Sequence, residues 1–352
     1  MVRTRPAAAG FALALGLCWL PALRAAPADR ASVEERAAAI RLASVWSATD
    51  VSSKNLKAGP KGPAAFTPGQ TVTCAFVPKK HGSGSTPKFD CVLPSGRELK
   101  VRYGRENGEV YAQVAATRLL WALGFLANRM YPVRVVCRGC PPNPFKDKAS
   151  GDPAKTVTFD PATIEEKAEG KTIETKPEQG WSWAELDRVD EKAGGATAAQ
   201  RDALKLLAVL MQHSSNKAIN QRLVCLDPPK CMRTEMVIAD VGKTFGRANA
   251  LNDDGTAAVN FKEWSRTPIW KSASGACVGR LAWTFSGSLS DPRISEPGRK
   301  FLANLLLQLS DAQIQDLFEA ARVTTREPAA TVDDWVKAFK AKREEIVNRR
   351  CG

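Results

Sequence analysis

Two polar stretches of the chain carry side chains suited to binding a metal ion and a phosphate group. The first, MQHSSNKAINQRLVCL (residues 211–226), contains Lys217 and Asn220, and the second, VIADVGKTFG (residues 237–246), contains Asp240. The carboxylate of Asp240 and the amide oxygen of Asn220 are hard oxygen ligands of the kind that Mg²⁺ takes together with substrate phosphates. The ammonium of Lys217 is a compact charge that suits a phosphate oxygen. The two stretches therefore predict a site for Mg²⁺ and a phosphorylated ligand.

A second group of candidates lies nearer the N-terminus. Gly82 and Gly84 in HGSGST lack side chains, so their main-chain amides can approach phosphate oxygens, although a plain hairpin turn has the same composition. Lys100 in ELKVRYG is expected on a strand, where it either contacts phosphates or keeps a sheet edge soluble. Glu109 and Gln113 lie one turn apart on the helix that follows, and either could hold the lysine in place. Glu109 could equally serve the positive N-terminus of that helix.

In this order along the chain, the motifs resemble those of the protein-kinase-like superfamily, especially its atypical exported and bacterial branches, which include the secretory-pathway kinases. The resemblance is carried by the H-x-S-x-K-x-x-N loop of residues 213–220 and the DVGKTFG run of residues 240–246, and it covers about residues 70–250. It implies a two-lobed α+β fold, with a small β-rich N-lobe and a larger helical C-lobe. It also implies Mg²⁺ and ATP as cofactors.

The resemblance assigns three groups of residues. The catalytic loop would hold His213, Ser215 and Lys217, the nucleotide would be bound by Gly82, Gly84, Lys100, Glu109 and Gln113, and the metal by Asn220 and Asp240. Two positions depart from the family pattern. Ser215 stands in the place of the catalytic aspartate, and its hydroxyl cannot accept a proton at neutral pH as a carboxylate does. Gln113 stands in the place of the helix glutamate and cannot neutralise a lysine.

Three functions therefore remain open. The first is a secreted kinase-like protein that binds Mg-nucleotide and transfers phosphate to an unknown protein or small-molecule acceptor, because positioning and electrostatics supply most of the catalysis in this chemistry. The second is a catalytically inactive pseudokinase that serves as a binding or scaffold protein of the cell envelope. The absence of ATP outside the inner membrane favours this second function. The third is an unrelated disulfide-bonded envelope protein in which the motifs are coincidental.

The N-terminal residues predict export. Arg3 and Arg5 precede an apolar run from Ala7 to Leu20, and an A-P-A cleavage site follows at residues 26–28. We expect residues 1–28 to be a signal peptide, the mature protein to be periplasmic or extracellular, and no transmembrane segment elsewhere. Without the three leader arginines the formal net charge of +14 becomes +11, which favours anionic partners such as nucleotides, and we expect no nucleic-acid partner.

Removal of the leader leaves eight cysteines, an even number in an oxidising compartment, and this predicts structural disulfides. Cys74 and Cys91 flank one apparent hairpin, and Cys225 and Cys231 flank another. A C-x-x-C pair, Cys137 and Cys140, and the remaining Cys277 and Cys351 leave their pairing open. A zinc site lacks the usual ligand spacing, and a redox role is disfavoured because two prolines follow Cys140 where a helix would be needed.

Hydrophobic periodicity predicts the elements that must position these residues. An N-terminal helix and linker are expected at residues 29–70, a β-rich lobe with an insert at 71–190, and a helical lobe at 191–352. Capping boxes at Ser32, Thr197 and Ser310 are expected to begin three of the helices. Within the insert, residues 138–180 are expected to be loops around short strands such as KTVTFD. The tryptophan-rich stretches GWSWAELD and WSRTPIW are expected to pack in the core rather than line a groove.

Overall fold

The computed structural model describes residue 1 and residues 30–78, 86–147, 149–246, 258–281 and 287–352. Strands precede most helices in this part of the chain, and the predicted α+β class is confirmed. Nearly all of the expected leader, and the loop with Gly82 and Gly84, lie outside the described residues. Among the described helices, none is long and apolar enough to cross a membrane.

Five strands close into a small barrel in the order β1–β2–β3–β5–β4, a closure that the sequence did not indicate. The strands are β1 (Thr71–Val77), β2 (Lys88–Val92), β3 (Glu98–Tyr103), β4 (Arg129–Arg138) and β5 (Thr156–Glu166). Paired strands are antiparallel except β1 and β4, which are parallel. Because side chains alternate along a strand, the in-register residues Phe89, Val101 and Ile164 all fill the barrel core. Their neighbours Lys100 and Arg102 therefore lie on the outer face.

A second sheet, of three strands, has the order β6–β7–β8 and is antiparallel. Its strands are β6 (Lys171–Thr172), β7 (Gln221–Cys225) and β8 (Thr234–Ile238). Strands β7 and β8 are the predicted pair on either side of the Cys225–Cys231 turn. Asn220 directly precedes β7 and Asp240 follows β8 by two residues, so this pair brings the two candidate metal ligands to one end of the sheet.

Eight α-helices complete the described part of the fold. They are α1 (Val33–Leu42), α2 (Glu109–Ala122), α3 (Ala198–Met211), α4 (Phe261–Arg266), α5 (Glu296–Leu306), α6 (Asp311–Ala320), α7 (Val323–Arg326) and α8 (Val332–Val347). The capping boxes predicted at Ser32, Thr197 and Ser310 are present at the starts of α1, α3 and α6. In each of them a side-chain oxygen accepts a main-chain N–H that the first helical turn would leave unpaired.

The helices and the second sheet share one large hydrophobic core, separate from the barrel core. Phe245 lies at its centre, with ring centroids 5.4 Å from Trp264, 6.0 Å from Phe318 and 6.5 Å from Trp335. Trp181, Trp183 and Trp264 are almost completely buried. The expectation that the tryptophan-rich stretches belong to the core is confirmed.

All eight cysteines expected in the mature chain form disulfides. The pairs are Cys74–Cys91, Cys137–Cys140, Cys225–Cys231 and Cys277–Cys351. The first and third are the hairpin pairs expected from the sequence. The C-x-x-C cysteines pair with each other, and the fourth bond joins residues 74 positions apart, which fastens the C-terminus to the chain before α5.

Residues 51–66, most of which were expected to belong to a linker, form no helix or strand but pack firmly on the rest of the protein. Gln313 Nε2 donates to main-chain carbonyls within residues 51–54, and the buried guanidinium of Arg118 donates to the carbonyl of Leu56. Leu56 belongs to the large core, whereas Phe66 belongs to the barrel core. This segment therefore contacts both cores.

Candidate functional site

A cleft of about 700 Å³ lies where the outer face of the barrel meets the ends of β7 and β8. Its wall is mostly charged. The lining residues are Ala64, Phe66, Lys88, Asp90, Arg97, Glu98, Leu99, Lys100, Arg102, Glu165, Glu166, Lys167, Lys217, Ile219, Asn220, Ala239 and Asp240. The cleft thus brings together four of the residues singled out from the sequence, which are Lys100, Lys217, Asn220 and Asp240.

Asp240 is held at the cleft by hydrogen bonds to both carboxylate oxygens. Oδ1 accepts from Gln113 Nε2 at 3.1 Å and from the Gly242 N–H at 2.9 Å, and Oδ2 accepts from Arg102 Nη2 at 3.0 Å. Burial would raise the pKa of Asp240, but the Arg102 guanidinium and the Gly242 N–H outweigh it and hold the pKa at about 2. Asp240 is therefore a carboxylate at any physiological pH, as a metal ligand must be.

Asn220 is joined to Asp240 through the main chain, since the Asp240 N–H donates to the Asn220 carbonyl at 2.9 Å. The side-chain amide nitrogen of Asn220 donates to the carbonyl of Ser215 at 2.6 Å and to Ser215 Oγ at 3.1 Å. These bonds orient the Asn220 side chain through its nitrogen and leave its oxygen as the atom of the right chemistry for a cation. Ser215 thus acts as an acceptor that positions Asn220.

Arg102, which the sequence did not single out, is the central cation of the site. Its side chain is 2% exposed and is surrounded by three carboxylates, at 3.0 Å from Asp240, 3.1 Å from Glu165 and 3.4 Å from Glu109. Burial would lower the pKa of Arg102, but these carboxylates raise it above its ordinary value. The group is permanently charged, and it links the barrel to the loop that carries Asp240.

Lys100 lies beside this cluster. Its ammonium is 3.2 Å from Glu165 Oε2, the same oxygen that contacts Arg102, and its side chain is 36% exposed to the cleft. Strand register explains the pairing, because Lys100 lies opposite Asp90 on one side and Glu165 on the other. Lys100 is therefore the more accessible of the two strand cations.

Helix α2 closes the back of the site through Glu109 and Gln113, both buried. Glu109 accepts from Thr86 Oγ1 at 2.9 Å and pairs with Arg102, and Gln113 contacts Asp240. Among the described residues, Lys100 pairs with Glu165, whereas Glu109 and Gln113 hold Arg102 and Asp240. A Cβ at Gly242 would lie 2.7 Å from Glu109 Cδ and 3.0 Å from Gln113 Nε2, so the glycine provides the clearance for α2. Gly242 does not adopt a positive φ, so the glycine is needed for this clearance and not for a left-handed backbone conformation.

His213 is almost fully buried behind the loop, with its ring centroid 6.1 Å from that of Trp183. Burial lowers its pKa to about 4 despite the nearby Asp240 carboxylate, so the ring is neutral at physiological pH. Neither ring nitrogen has a hydrogen-bond partner among the described residues. Its place beneath the loop suits packing, and the ring does not reach the cleft wall.

Arg102 and Glu165 belong to the site but were not predicted from the sequence, which contains only weak signals for them. Arg102 follows Lys100 by two residues on a strand, and the alternation of side chains places both on one face. Glu165 is the last residue but one of β5, which runs for 11 residues rather than as the short strand expected from KTVTFD. Because the sequence predicts loops around short strands at residues 138–180, it gives no sign that Glu165 lies beside β3. Gly82 and Gly84 lie outside the described residues.

The donor set suits one kind of metal. Among the described residues there is no group of three or more His, Cys, Asp or Glu side chains that could hold a metal ion. A single carboxylate with one amide oxygen is typical of Mg²⁺ sites in which phosphates and water complete the coordination. Asp240 and Asn220 provide this pair.

Comparison with known proteins adds little. No protein-family model matches the chain, and no curated protein does. One solved structure that it resembles is the Helicobacter pylori proinflammatory kinase CtkA, with a TM-score of 0.44 at 10% sequence identity. The likeness covers 80% of this chain and 96% of that one. At this TM-score it carries no argument about function, and the site has to be interpreted from its own geometry.

Proposed function

We propose that the chain binds a magnesium–nucleotide in this cleft, in the two-lobed arrangement of a protein-kinase-like protein. One observation carries the proposal: Asp240 and Asn220, joined through the main chain, line the same cleft as the ammonium groups of Lys100 and Lys217. A carboxylate and an amide oxygen in the same cleft as lysine ammonium groups are what a metal-bound polyphosphate requires.

Each residue then has a part in binding. Asn220 and Asp240 would hold Mg²⁺, which would neutralise charge on the phosphates. Lys100 and Lys217 would contact phosphate oxygens, and Gly82 and Gly84 would cover them. Glu109 and Gln113 would keep Arg102 and Asp240 in place from behind.

Phosphoryl transfer would require a catalytic base in the loop of residues 213–220. Ser215 offers a hydroxyl where a catalytic base is needed, and that hydroxyl accepts a hydrogen bond from Asn220. This observation favours the second candidate, a pseudokinase that binds a nucleotide and serves as a scaffold in the cell envelope. Transfer to a protein or small-molecule acceptor remains the alternative.

Export of the protein is part of the proposal. Four disulfides fit an oxidising compartment, and the leader at residues 1–28 would direct the chain to the periplasm or the cell exterior. The nucleotide would then have to be supplied there.

Thermal melting and calorimetric titration of the mature protein with ATP and Mg²⁺ test the binding. At a ligand concentration of a hundred times the dissociation constant, binding adds about 2.7 kcal/mol to the free energy of unfolding, and the melting temperature rises. Asp240→Asn and Lys100→Met should each remove most of that rise. Lys271→Met, which removes a half-exposed lysine paired with Asp291 outside the cleft, should leave it unchanged.

Transfer is tested separately with radiolabelled ATP and a generic protein acceptor. If wild type shows neither a melting shift nor heat of binding, the proposal is wrong. Binding without transfer would support the pseudokinase.

A further inference from the structure

Arg102 donates a hydrogen bond to Oδ2 of Asp240, the carboxylate oxygen that Gln113 and Gly242 do not contact. Oδ1 already accepts two hydrogen bonds, and Oδ2 accepts from Arg102 at 3.0 Å. A divalent cation bound directly to Oδ2 would lie within a few ångströms of the guanidinium, and like charges repel strongly at such a distance. In the observed arrangement, the Asp240 carboxylate is therefore poorly available to a metal.

Arg102 cannot give way by losing its charge, because a guanidinium stays protonated in proteins. It can give way by moving, since two further carboxylates hold it. Glu165 lies 3.1 Å from Nη1 and Glu109 lies 3.4 Å from Nε. A guanidinium that left Asp240 would remain paired with both, so the movement would not strand a buried charge.

A phosphate bound in the cleft could attract Arg102 away from Asp240. Lys100 and Lys217 line the same cleft as Arg102, and phosphate oxygens bound between them would be new acceptors for the guanidinium. Release of Oδ2 and arrival of phosphate would then be a single exchange. The metal would gain a carboxylate oxygen and phosphate oxygens in the same event.

We propose that Arg102 is an internal counter-ion that keeps divalent cations off Asp240 until a polyphosphate draws it away. This inference rests on the proposed function, and it adds that metal and nucleotide bind with strong positive coupling. The chain would bind little free Mg²⁺ or Mn²⁺ alone. By linkage, the metal would raise affinity for the nucleotide by the same factor that the nucleotide raises affinity for the metal.

Titration of the mature protein with Mn²⁺ tests this proposal. Electron paramagnetic resonance measures the free ion, and the titration is done with and without the ATP analogue adenylyl imidodiphosphate. Wild type should bind Mn²⁺ at least about tenfold more tightly when the analogue is present. This gain is counted after the binding of Mn²⁺ by the free analogue has been subtracted. Arg102→Met should bind Mn²⁺ at least about tenfold more tightly than wild type without the analogue. Adding Asp240→Asn to that variant should abolish the gain.

Arg41→Met is the matched control, because it removes a guanidinium from an exposed ion pair with Asp190 outside the cleft, and it should behave as wild type. Equal Mn²⁺ affinity of wild type and Arg102→Met without the analogue would overturn the proposal. If circular dichroism shows that Arg102→Met does not fold, the wild-type titrations decide the question. The coupling is then refuted if wild type binds Mn²⁺ with the same affinity in the presence and absence of bound analogue. Failure of the analogue to bind at any Mn²⁺ concentration would refute the proposed function, whereas the comparison of the two proteins with Mn²⁺ alone would still test Arg102.

Discussion

The substitution Gly242→Ala tests whether the site depends on the close packing of α2. The added methyl group would lie 2.7 Å from both Cγ and Cδ of Glu109, where carbon atoms normally stay about 3.5–4.0 Å apart. Glu109 would have to retreat by about 1 Å, which weakens its hydrogen bond from Thr86 and its contact with Arg102. Overpacking of this kind costs about 1–3 kcal/mol.

We expect Gly242→Ala to lower the urea midpoint of unfolding with an unchanged slope. We also expect it to weaken binding of ATP with Mg²⁺ at least several-fold, because the Gly242 N–H donates to the Asp240 carboxylate. Urea unfolding followed by fluorescence and calorimetric titration of the ligand measure the two effects. Gly69→Ala is the control. Nothing lies within 4 Å of its added methyl group, so its left-handed φ of +75° should cost about 1–2 kcal/mol without affecting the ligand.

A double-mutant cycle isolates the clash. In a Glu109→Ala background the Cγ and Cδ atoms are gone, so Gly242→Ala should cost much less than it does in wild type. If Gly242→Ala costs the same in both backgrounds, the clash is not the cause. If the single variant keeps wild-type stability and affinity, the packing argument fails altogether.

Three further predictions concern stability, each measured by urea unfolding. Burial lowers the pKa of Lys342 to about 8, so the unfolded chain binds more protons between about pH 8 and pH 10. The unfolding free energy of wild type relative to Lys342→Met should therefore rise by up to about 3 kcal/mol over that interval, and parallel pH curves would contradict this. Replacing Cys277 and Cys351 by serine opens a loop whose ends are 74 residues apart and should cost about 4 kcal/mol, so wild-type stability would show that the bond contributes little. Arg118→Met leaves the buried carbonyl of Leu56 and the partly buried carbonyls of residues 57 and 58 without their donor and should cost roughly 2–4 kcal/mol, and an unchanged midpoint would show that water replaces the donor.

Local signals in the sequence predicted the local elements well. The capping boxes, the β7–β8 hairpin with its disulfide and the late helices all follow from patterns within a few residues of each other. Asn220 and Asp240 lie close together for the same reason, since they flank the two strands of one pair. Barrel closure could not be found this way, because the parallel pairing of β1 with β4 joins residues far apart in sequence.

Arg102 shows where sequence reasoning about a charged residue fails. When an arginine and a lysine lie two residues apart on a strand, both are usually exposed to solvent. Nothing in the nearby sequence shows that Arg102 is buried and Lys100 is partly exposed. Arg102 is buried because Glu165 on β5, Asp240 after β8 and Glu109 on α2 converge on it. Three separate elements make that environment, so the role of the residue becomes visible only when they are assembled.

The packing of residues 51–66 limits how the protein can move. The segment is fastened to α2 and α6 near its start, and near its end Phe66 anchors it in the barrel, while Ala64 and Phe66 also form part of the cleft wall. A wide hinge opening between barrel and helices would have to pull one of these anchors out. We therefore expect ligands to enter and leave through rearrangement of the charged side chains that line the cleft, with the barrel and the helices remaining at nearly constant separation.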